Sequence, residues 1–226
     1  MCGRFLLIAT PDEVAALLGY LDGEWFPPRY NIAPTQPIAI VRRVNGARRF
    51  ALVRWGLVPG WVEDPRRFSL LINARAEGIG EKPAFKGAFR HRRCLIPASG
   101  FYEWRGSKGS ARQPHLLRRT DQAPFAFAGL WESWLGRDGS EIDSATIITV
   151  AARGEPARIH DRMPLILGPE SYDTWLGGDD HRPPDLHPLI EAAPIGSLES
   201  FAVGTRVNSV DNDGPDLIEP PAPTLF

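Results

Sequence analysis

The fold is set by one short stretch of sequence, Ile38-Ala39-Ile40-Val41-Arg42-Arg43-Val44-Asn45-Gly46-Ala47-Arg48-Arg49-Phe50. An Asn-Gly pair between two apolar runs is a strong signal for a tight turn, because both residues tolerate the positive φ angles that such a turn requires. The flanking residues 38–41 and 50–58 are rich in the β-branched and aromatic residues that favour strands. We therefore predict a β-hairpin centred on Asn45-Gly46.

Strand-like segments also make up most of the rest of the chain. A capping box, Thr10-Pro11-Asp12-Glu13, begins a helix whose apolar spacing extends to Leu21. This order of elements favours an α+β fold with a strongly curved, barrel-like mixed or antiparallel sheet and peripheral helices, and we expect residues 1–226 to form a single domain. Further strands are predicted at 4–8, 93–98, 100–105, 114–119, 124–131, 143–151 and 201–207, and short helices near 153–159, 169–177 and 184–192.

Composition excludes several classes of protein. No uninterrupted apolar run approaches the ~20 residues that span a bilayer, and the N-terminus lacks the regions of a signal peptide. We therefore expect a cytoplasmic protein, nucleoid-associated in a bacterium, with no membrane partner. The chain has only 2 cysteines, Cys2 and Cys94, so a disulfide framework is excluded. No histidine has metal-ligand neighbours and no phosphate-loop or dinucleotide fingerprint is present, so we predict neither a metal nor a cofactor.

The formal net charge of −1 conceals two opposite halves. Residues 1–119 carry 20 Lys and Arg against 9 Asp and Glu, a balance of +11, whereas residues 120–226 carry 6 against 18, a balance of −12. Arginine pairs occur at 42–43, 48–49 and 66–67. This distribution predicts that one part of the surface meets a polyanion.

The N-terminus, Met1-Cys2-Gly3-Arg4-Phe5, is the most reactive segment of the sequence. Cys2 is small enough for an aminopeptidase to remove Met1, which would leave an α-amine and a thiol on one residue. These groups ordinarily titrate near ~8 and ~8.5, so both would be partly nucleophilic at neutral pH. An aldehyde condenses with such a 1,2-aminothiol first to a Schiff base and then to a thiazolidine ring. The processed terminus is therefore suited to trap an aldehyde.

Two motifs in the first half of the chain place unusual groups near turns. In Trp55-Gly56-Leu57-Val58-Pro59-Gly60-Trp61, the glycine and proline turn would expose Trp61, where it could stack on a base; the alternative is a tryptophan folded back over the sheet edge. In Asn73-Ala74-Arg75-Ala76-Glu77, strand alternation would put Asn73, Arg75 and Glu77 on one face. A surface strand would show the same pattern.

Two later motifs supply candidates for proton transfer. Glu103 lies between aromatic residues in Gly100-Phe101-Tyr102-Glu103-Trp104, so we expect it to be desolvated, with a raised pKa. His160 is the most distinctive histidine because Asp161 and Arg162 follow it, and imidazole is the usual proton shuttle at neutral pH. The alternatives are a solvent-facing Glu103 and a purely structural His160.

Taken together, these motifs resemble those of the SRAP family (SOS response-associated peptidase-like). The resemblance covers nearly the whole chain and implies a protein that binds single-stranded DNA and traps abasic sites through its N-terminal cysteine. An abasic deoxyribose is partly a ring-opened aldehyde, which is the partner that the aminothiol requires. The motifs are Met1-Cys2-Gly3-Arg4-Phe5, Arg29-Tyr30-Asn31-Ile32-Ala33-Pro34, Trp55-Gly56-Leu57-Val58-Pro59-Gly60-Trp61, Asn73-Ala74-Arg75-Ala76-Glu77, Phe101-Tyr102-Glu103-Trp104 and His160-Asp161-Arg162-Met163-Pro164.

The resemblance also implies roles for individual residues. The reaction would pass through a lyase-type Schiff base to a thiazolidine crosslink. The protein would act as a monomer on abasic single-stranded DNA, and single-strand/double-strand junctions are candidate substrates. Family members often have a second aromatic residue after the turn tryptophan, where this chain has Val62. The implied catalytic residues are Cys2, Asn73 to orient the sugar, Glu103 to shuttle protons and His160 to act at the sugar oxygen; the implied DNA-binding residues are Arg4, Arg75 and Arg162 for phosphates and Trp61 and Pro34 for bases.

Two other functions stay open on the sequence. A cysteine peptidase of the N-terminal-nucleophile class would use Cys2 with help from Glu103 and His160, either to remove Met1 or to cleave other proteins. Class II glutamine amidotransferases also expose a cysteine after Met, but they continue Gly-Ile where this chain has Gly-Arg-Phe. A non-catalytic DNA-binding module would bind intact and abasic single strands equally.

Overall fold

The protein is described by a computed structural model that covers residues 2–106, 112–177, 183–194 and 197–220. Strands dominate these residues, and the helices are short. The strands are β1 Phe5–Leu7, β2 Arg29–Ile32, β3 Pro37–Val44, β4 Ala47–Trp55, β5 Asn73–Arg75, β6 Arg93–Ala98, β7 Gly100–Arg105, β8 Gln113–Arg119, β9 Phe125–Leu135, β10 Glu141–Ala151, β11 Arg162–Pro164, β12 Ile166–Leu167 and β13 Leu198–Ala202. The α-helices are α1 Pro11–Leu18, α2 Lys86–His91, α3 Tyr172–Leu176 and α4 Leu186–Glu191, and 3₁₀ helices lie at Glu155–Arg158, Pro169–Ser171, Thr205–Asn208 and Pro215–Ile218.

Five strands close into a small barrel in the order β10, β4, β3, β6, β9 and back to β10. Four of the five pairings are antiparallel, and the fifth, between β10 and β4, is parallel. The short strand β5 also runs parallel to β10, with Asn73 opposite Ile147. The predicted α+β fold with a strongly curved, barrel-like mixed sheet and peripheral helices is confirmed, and the described residues form a single domain.

A second, antiparallel sheet packs against the barrel in the order β13, β8, β7, β1, β2. Aromatic rings join the two sheets: the Phe5 ring on β1 contacts Trp55 at 5.2 Å and Phe127 at 5.9 Å between ring centroids, both edge to face. Phe101 on β7 contacts the same Phe127 ring at 6.1 Å. Buried edge-to-face pairs add about 0.5–1.5 kcal/mol each beyond the burial of their area, so the positions of β1 and β7 relative to the barrel are well determined.

The hairpin around Asn45-Gly46 is confirmed. Asn45 has φ 51° and Gly46 has φ 77°, and β3 pairs with β4 without interruption from Val44 opposite Ala47 to Pro37 opposite Arg54. Two positive φ angles at the centre define a type I′ turn, whose twist matches that of the flanking strands. The turn therefore sets the register of the first two barrel strands.

The start of helix α1 is confirmed, but its predicted end is wrong. The Thr10 side chain accepts a hydrogen bond from the Glu13 amide, and the Glu13 carboxylate accepts one from the Thr10 amide. The helix then ends at Leu18, because Gly19 adopts a left-handed conformation (φ 67°) and its amide donates to the Ala15 carbonyl. Leu21 lies beyond this cap and is 98% exposed, so the apolar spacing at this position does not mark the core.

The predicted last strand at 201–207 is displaced. The strand is Leu198–Ala202, and Thr205–Asn208 is a 3₁₀ helix. The predicted helix near 153–159 is likewise only the 3₁₀ turn Glu155–Arg158. Gly204 and Pro156 interrupt longer regular structure in these segments. Among the described residues, no helix is long and apolar enough to cross a membrane.

Candidate functional site

The pairing of β1 with β7 brings the N-terminus beside Glu103. The strands are antiparallel, with Phe5 opposite Phe101, and the Tyr102 amide donates to the Arg4 carbonyl at 3.0 Å. Residues that precede Phe5 therefore run alongside residues that follow Phe101. This register, and not proximity in the sequence, places Cys2 and Glu103 in one site.

Asn73 reaches the same site from the barrel. It begins β5, and its side-chain Nδ2 donates a hydrogen bond to the Cys2 carbonyl at 2.8 Å. Its Oδ1 atom is buried and accepts no hydrogen bond from any described residue. Leaving a buried acceptor unsatisfied costs about 1–3 kcal/mol, so this oxygen is a place where a bound substrate or a processed N-terminus would gain a hydrogen bond.

Glu103 is a buried carboxyl group, only 4% exposed. Desolvation by burial raises the pKa of Glu103, and the charge interaction with His160, when His160 is protonated, acts in the opposite direction. The expected desolvation of Glu103 is thus confirmed, and the alternative of a solvent-facing side chain is wrong. The same charge interaction shows that Glu103 and His160 share one site.

His160 lies between the 3₁₀ turn Glu155–Arg158 and β11. Its Nδ1 atom accepts a hydrogen bond from the Arg162 amide at 3.0 Å and also lies 2.7 Å from a carboxylate oxygen of Asp161. One nitrogen cannot accept from an amide and donate to a carboxylate at the same time. We assign the amide bond, because the Asp161 side chain is 85% exposed and weakly held. In the neutral ring, Nε2 then carries the proton.

The thiol of Cys2 is completely buried. Burial raises the pKa of this thiol strongly, and Glu103, when ionised, raises it further. The expectation that this thiol titrates near its ordinary value is therefore wrong for the buried residue: the thiol stays protonated at neutral pH. It lies 3.8 Å from the Arg4 carbonyl, to which it donates a weak hydrogen bond. A reaction at this sulfur needs a group that takes the thiol proton, and Glu103 is the charged group that acts on it.

Arg4 has a structural role in addition to the one expected for it. Its Nη1 atom donates to the Asn31 side chain and to the Val207 carbonyl, each at 2.7 Å, and its guanidinium lies 5.8 Å from the Trp104 ring centroid. The Asn31 amide in turn donates to the Ser209 and Asn212 carbonyls. These contacts fasten the C-terminal segment to the site. Phosphate binding by Arg4 stays a prediction.

Arg75 and Arg162 differ in their surroundings. Arg75 is exposed, whereas the Arg162 side chain is only 11% exposed and makes two hydrogen bonds to the Glu77 carboxylate, at 2.7 and 2.9 Å. Arg162 also donates to the Thr149 carbonyl at 2.6 Å. The predicted strand face with Asn73, Arg75 and Glu77 is shorter than expected, because β5 ends at Arg75.

Trp61 stands out from the surface as predicted, with 62% of it exposed. Its ring meets the Phe68 ring edge to face, with the centroids 5.7 Å apart. Val62 is buried, and its carbonyl accepts a hydrogen bond from Trp134 Nε1 at 2.6 Å. Phe68 therefore supplies the second ring from further along the loop. Pro34 is half-buried in the turn before β3.

Sequence reasoning missed several residues around the site. Phe68 and Thr149 have no local signal, because their contacts come from other segments. His115 lacks the reactive sequence neighbours that distinguish His160, yet it lies directly opposite Glu103 on β8. The signal that would predict this pairing is the register of the hairpin formed by β7 and β8. Among the described residues, no group of three or more His, Cys, Asp and Glu is arranged to hold a metal ion.

Much of the charge asymmetry between the two halves of the chain is neutralised by folding. Arg42 pairs with Asp143, Arg43 and Arg48 both pair with Asp173, and Arg92 pairs with Glu132. Basic residues of the first half thus meet acidic residues of the second. The arginine pair at 42–43 is therefore not the free cationic surface that the sequence predicted.

Proteins from several organisms are similar to this chain over nearly its whole length. The abasic site processing protein YoqW of Bacillus subtilis is 36% identical over 222 residues, which cover 97% of this chain and 99% of YoqW. The abasic site processing protein YedK of Escherichia coli is 31% identical over 227 residues, covering 97% and 100%. The abasic site processing protein HMCES of Xenopus tropicalis is 29% identical over 263 residues, covering 96% of this chain and 78% of that protein.

Solved structures show the same fold. A crystal structure of a protein from Bacteroides thetaiotaomicron matches with a TM-score of 0.79 at 22% identity, over 97% of this chain and 100% of that one. The crystal structure of a phage-related protein from Bordetella bronchiseptica matches with a TM-score of 0.70 at 29% identity, over 89% and 94%. The sequence profile of the family described as SOS response associated peptidase (SRAP) matches residues 1–210. The chain belongs to the SRAP family.

Proposed function

We propose that this protein processes abasic sites in single-stranded DNA by forming a covalent thiazolidine crosslink through Cys2 after Met1 has been removed. One observation carries the proposal: an N-terminal cysteine, the amide of Asn73 and the buried acid Glu103 meet in one site, with His160 close enough to act on Glu103. The relatives named abasic site processing proteins support abasic DNA as the substrate. The proposed place of action is the cytoplasm, at the nucleoid in a bacterium, and the proposed active form is a monomer.

The first step is opening of the deoxyribose ring. His160, as the neutral ring, donates a hydrogen bond from Nε2 to the ring oxygen. The C1′ hydroxyl proton passes through water to that oxygen as the C1′–O4′ bond breaks, which gives a C4′ hydroxyl and an aldehyde at C1′. The Cys2 amine then adds to C1′, and an amine proton moves to the carbonyl oxygen, which becomes the C1′ hydroxyl. Asn73 Oδ1, the buried acceptor described above, is suited to accept a hydrogen bond from this amine and to aim it at the carbon.

The second step uses the raised pKa of Glu103 twice. As an acid it gives its proton to the C1′ hydroxyl, which leaves as water, and the Cys2 nitrogen and C1′ form an iminium. The resulting carboxylate accepts the thiol proton as the sulfur bonds to C1′, the nitrogen takes back the electron pair, and the five-membered ring closes. Glu103 ends protonated, as it began, so a single group serves as both acid and base.

Surface features support a DNA path past this site. Exposed Arg75 and the Arg162 guanidinium provide positive charge near Asn73 and His160, and the exposed Trp61 with Phe68 provides a stacking surface. Because aromatic stacking tolerates any base and phosphate contacts tolerate any sequence, this arrangement favours binding without sequence preference. Single-strand/double-strand junctions are candidate substrates, with the Trp61 and Phe68 rings meeting the duplex end.

A denaturing gel tests the proposal. The mature protein, with Met1 loss verified by mass spectrometry, is incubated with a uracil-containing oligonucleotide that has been treated with uracil glycosylase. We expect a slower-migrating covalent band that survives heat and detergent, no band with the untreated oligonucleotide, and none with Cys2→Ala. Absence of the band with verified mature protein would refute the proposal, and a band with Cys2→Ala would exclude Cys2 as the bonding residue.

The peptidase alternative concerns Met1 itself. The Cys2 thiol is covalently close to the bond that joins Cys2 to Met1, and Glu103 acts on this thiol, as cleavage by the protein's own nucleophile would require. Alanine is also small enough for aminopeptidases to act before it, so Cys2→Ala separates the routes. Loss of Met1 from Cys2→Ala would assign removal to an aminopeptidase, whereas retention of Met1 only in this variant would indicate self-cleavage.

A further inference from the structure

We propose that Arg105 and Arg158 bind DNA phosphates on the second-sheet side of the site, so that the strand is held on both sides of the abasic residue. The inference rests on the proposed function, because it concerns the path of the same single strand. It goes beyond that function by naming two arginines that lie outside the sequence motifs. Arg75 and Arg162, the arginines already expected to bind phosphates near Asn73, lie on short strands that pair with barrel strand β10.

Arg105 lies on the same face of β7 as Glu103. Side chains two residues apart in a strand point to one face, and their Cα atoms are about 6.6 Å apart along the strand. Glu103 is only 4% exposed, whereas Arg105, the last residue of β7, is exposed. No ion pair joins Arg105 to another residue that the structure describes. Strand β7 therefore carries Glu103 into the site and an unpaired cation to the rim of the site.

Arg158 is connected to the same face of the second sheet through Glu155. The Ser200 hydroxyl donates a hydrogen bond to the Glu155 carboxylate at 2.6 Å, and this carboxylate pairs with Arg158 at 3.2 Å. Ser200 on β13 and Phe101 on β7 are paired with the same residue of β8. Opposed residues of antiparallel strands point to one face, so Ser200 shares the face of Phe101 and of Arg105. The 3₁₀ turn that carries Arg158 therefore lies on that face.

Charge interactions with His115 indicate that these groups are neighbours. Burial lowers the pKa of His115, Arg105 lowers it further, and Glu155 acts in the opposite direction, so the charges of both residues reach the same ring. Two arginines then accompany one carboxylate, which leaves this rim positive when His115 is neutral. The Arg158 side chain is 77% exposed, and exposed ion pairs are weak. A phosphate can therefore replace Glu155 as its partner.

The reactive residues lie between two pairs of arginines. Arg158 precedes His160 by two residues and reaches the second sheet through Glu155. Arg162 follows His160 by two residues and donates to the Thr149 carbonyl of barrel strand β10 at 2.6 Å. A single strand that crosses the site therefore meets positive charge before and after the reacting sugar. Nucleotides on each side of the lesion contribute to binding, and a lesion at the end of an oligonucleotide loses the contacts of one pair.

The salt dependence of binding tests the proposal. Fluorescence anisotropy gives the Kd of the mature protein for an intact single-stranded oligonucleotide at several salt concentrations. Each phosphate contact to a single strand contributes ~0.7 to the slope of log affinity against log salt, so the double variant Arg105→Ala with Arg158→Ala should lower this slope by ~1.4. Arg105→Lys with Arg158→Lys keeps both charges and should keep the slope. Lys86→Ala with Arg90→Ala removes two exposed charges from α2 and is the matched control, which should leave the slope unchanged.

Shortened oligonucleotides test whether the two arginines bind one side of the lesion. Non-covalent binding is measured in a Cys2→Ala background, which cannot form the thiazolidine, with the abasic residue at the centre, next to the 5′ end or next to the 3′ end. For the central lesion, loss of Arg105 and Arg158 should weaken binding by about 10- to 30-fold at 0.1 M salt, the change that a slope difference of ~1.4 gives relative to 1 M salt. For one of the two end lesions, the same loss should have no effect, because the nucleotides that these arginines bind are already missing.

The outcomes separate this inference from the proposed function. If wild type forms no crosslink with abasic DNA, the proposed function fails, whereas a lowered salt slope would still identify Arg105 and Arg158 as phosphate ligands. If wild type crosslinks and the double alanine variant lowers the slope no more than the α2 control, only this inference is refuted. A slope lowered equally by the lysine variant would refute it as well, because charge would not explain the loss. Equal weakening for both end lesions would overturn the location on one side of the lesion.

Discussion

The bidentate pair between Arg162 and Glu77 leads to a prediction about DNA affinity. If Arg162 binds a phosphate, Glu77 occupies the same fork of nitrogen atoms in the free protein and must release it. The Glu77 side chain is 60% exposed, and Arg162 also donates to the Thr149 carbonyl, which holds its guanidinium in place when the carboxylate is gone. Glu77→Gln should therefore leave Arg162 ready to meet a phosphate.

The size of the effect follows from that exposure. Exposed ion pairs contribute ~0.2–1 kcal/mol, and a bidentate arginine pair belongs at the upper end of this range. Because 1.4 kcal/mol corresponds to a factor of ten in affinity, Glu77→Gln should tighten binding to intact single-stranded DNA by about two- to fivefold. The same change should lower the melting temperature by no more than about 2–4 °C.

Fluorescence anisotropy with a labelled oligonucleotide measures the dissociation constant at several salt concentrations. Glu199→Gln is the control, because it removes one negative charge from another ion pair, Arg118 with Glu199. Tighter DNA binding by Glu77→Gln indicates release of Arg162 only where it exceeds the tightening that Glu199→Gln produces. Equal or weaker binding by Glu77→Gln than by Glu199→Gln would refute the reasoning and would show that Glu77 anchors Arg162 and does not compete with DNA.

The pH dependence of this pair has a definite sign. Arg162 lowers the pKa of Glu77, so the stabilisation from the pair is present above the ordinary pKa of a glutamate and is lost as the pH falls through the lowered value. Wild type and Glu77→Gln should therefore differ in melting temperature at neutral pH and converge in acid. A difference that persisted in acid would have another origin.

Three further predictions concern other residues of the site. Glu103→Gln should slow crosslinking by ~10²–10⁴-fold. It should also raise the melting temperature at neutral pH, because burial raises the pKa of Glu103 and the folded state therefore loses stability as the pH rises above the ordinary pKa of a glutamate. Thermal melts in which the gain in melting temperature does not grow from acid to neutral pH would contradict this. Arg75→Ala should weaken binding to intact single strands and reduce the slope of affinity against salt by about one counterion, whereas an unchanged slope would remove Arg75 from the DNA path. Asn31→Ala should destabilise the protein by about 1–3 kcal/mol, measured by urea unfolding, because Arg4 and the carbonyls of the C-terminal segment lose a buried partner.

The buried thiol alters how the N-terminus is understood. A 1,2-aminothiol in water reacts because its thiol is partly ionised, whereas Cys2 in the folded protein has a raised pKa and a protonated sulfur. Under the proposed function, the Cys2 thiol is a weaker nucleophile than a free cysteine, and Glu103 controls when it reacts. The sulfur then reacts only when the carboxylate of Glu103, left by the preceding step, takes its proton.

Local chemistry explains which elements could be predicted from the sequence. The Asn45-Gly46 turn, the Thr10 capping box and the strands β6 and β7 lie where they were predicted. Each depends on the conformational preferences of neighbouring residues, which the sequence displays directly. The motifs also singled out Cys2, Asn73, Glu103 and His160, which lie near one another in the folded chain; their catalytic roles stay predictions.

Motifs and local residue preferences were enough to predict the turns, most strand positions, the family and the reactive residue types. Which of those residues meet depends on how the whole chain folds. The parallel pairing of β10 with β4 and β5, the pairing of His115 with Glu103, the neutralisation of Arg43 by Asp173 and the burial of Cys2 all join segments that are far apart along the chain. The physical reason is that register, desolvation and ion pairing depend on closure of the barrel and on its packing against the second sheet, and these are properties of the whole chain that no local segment carries.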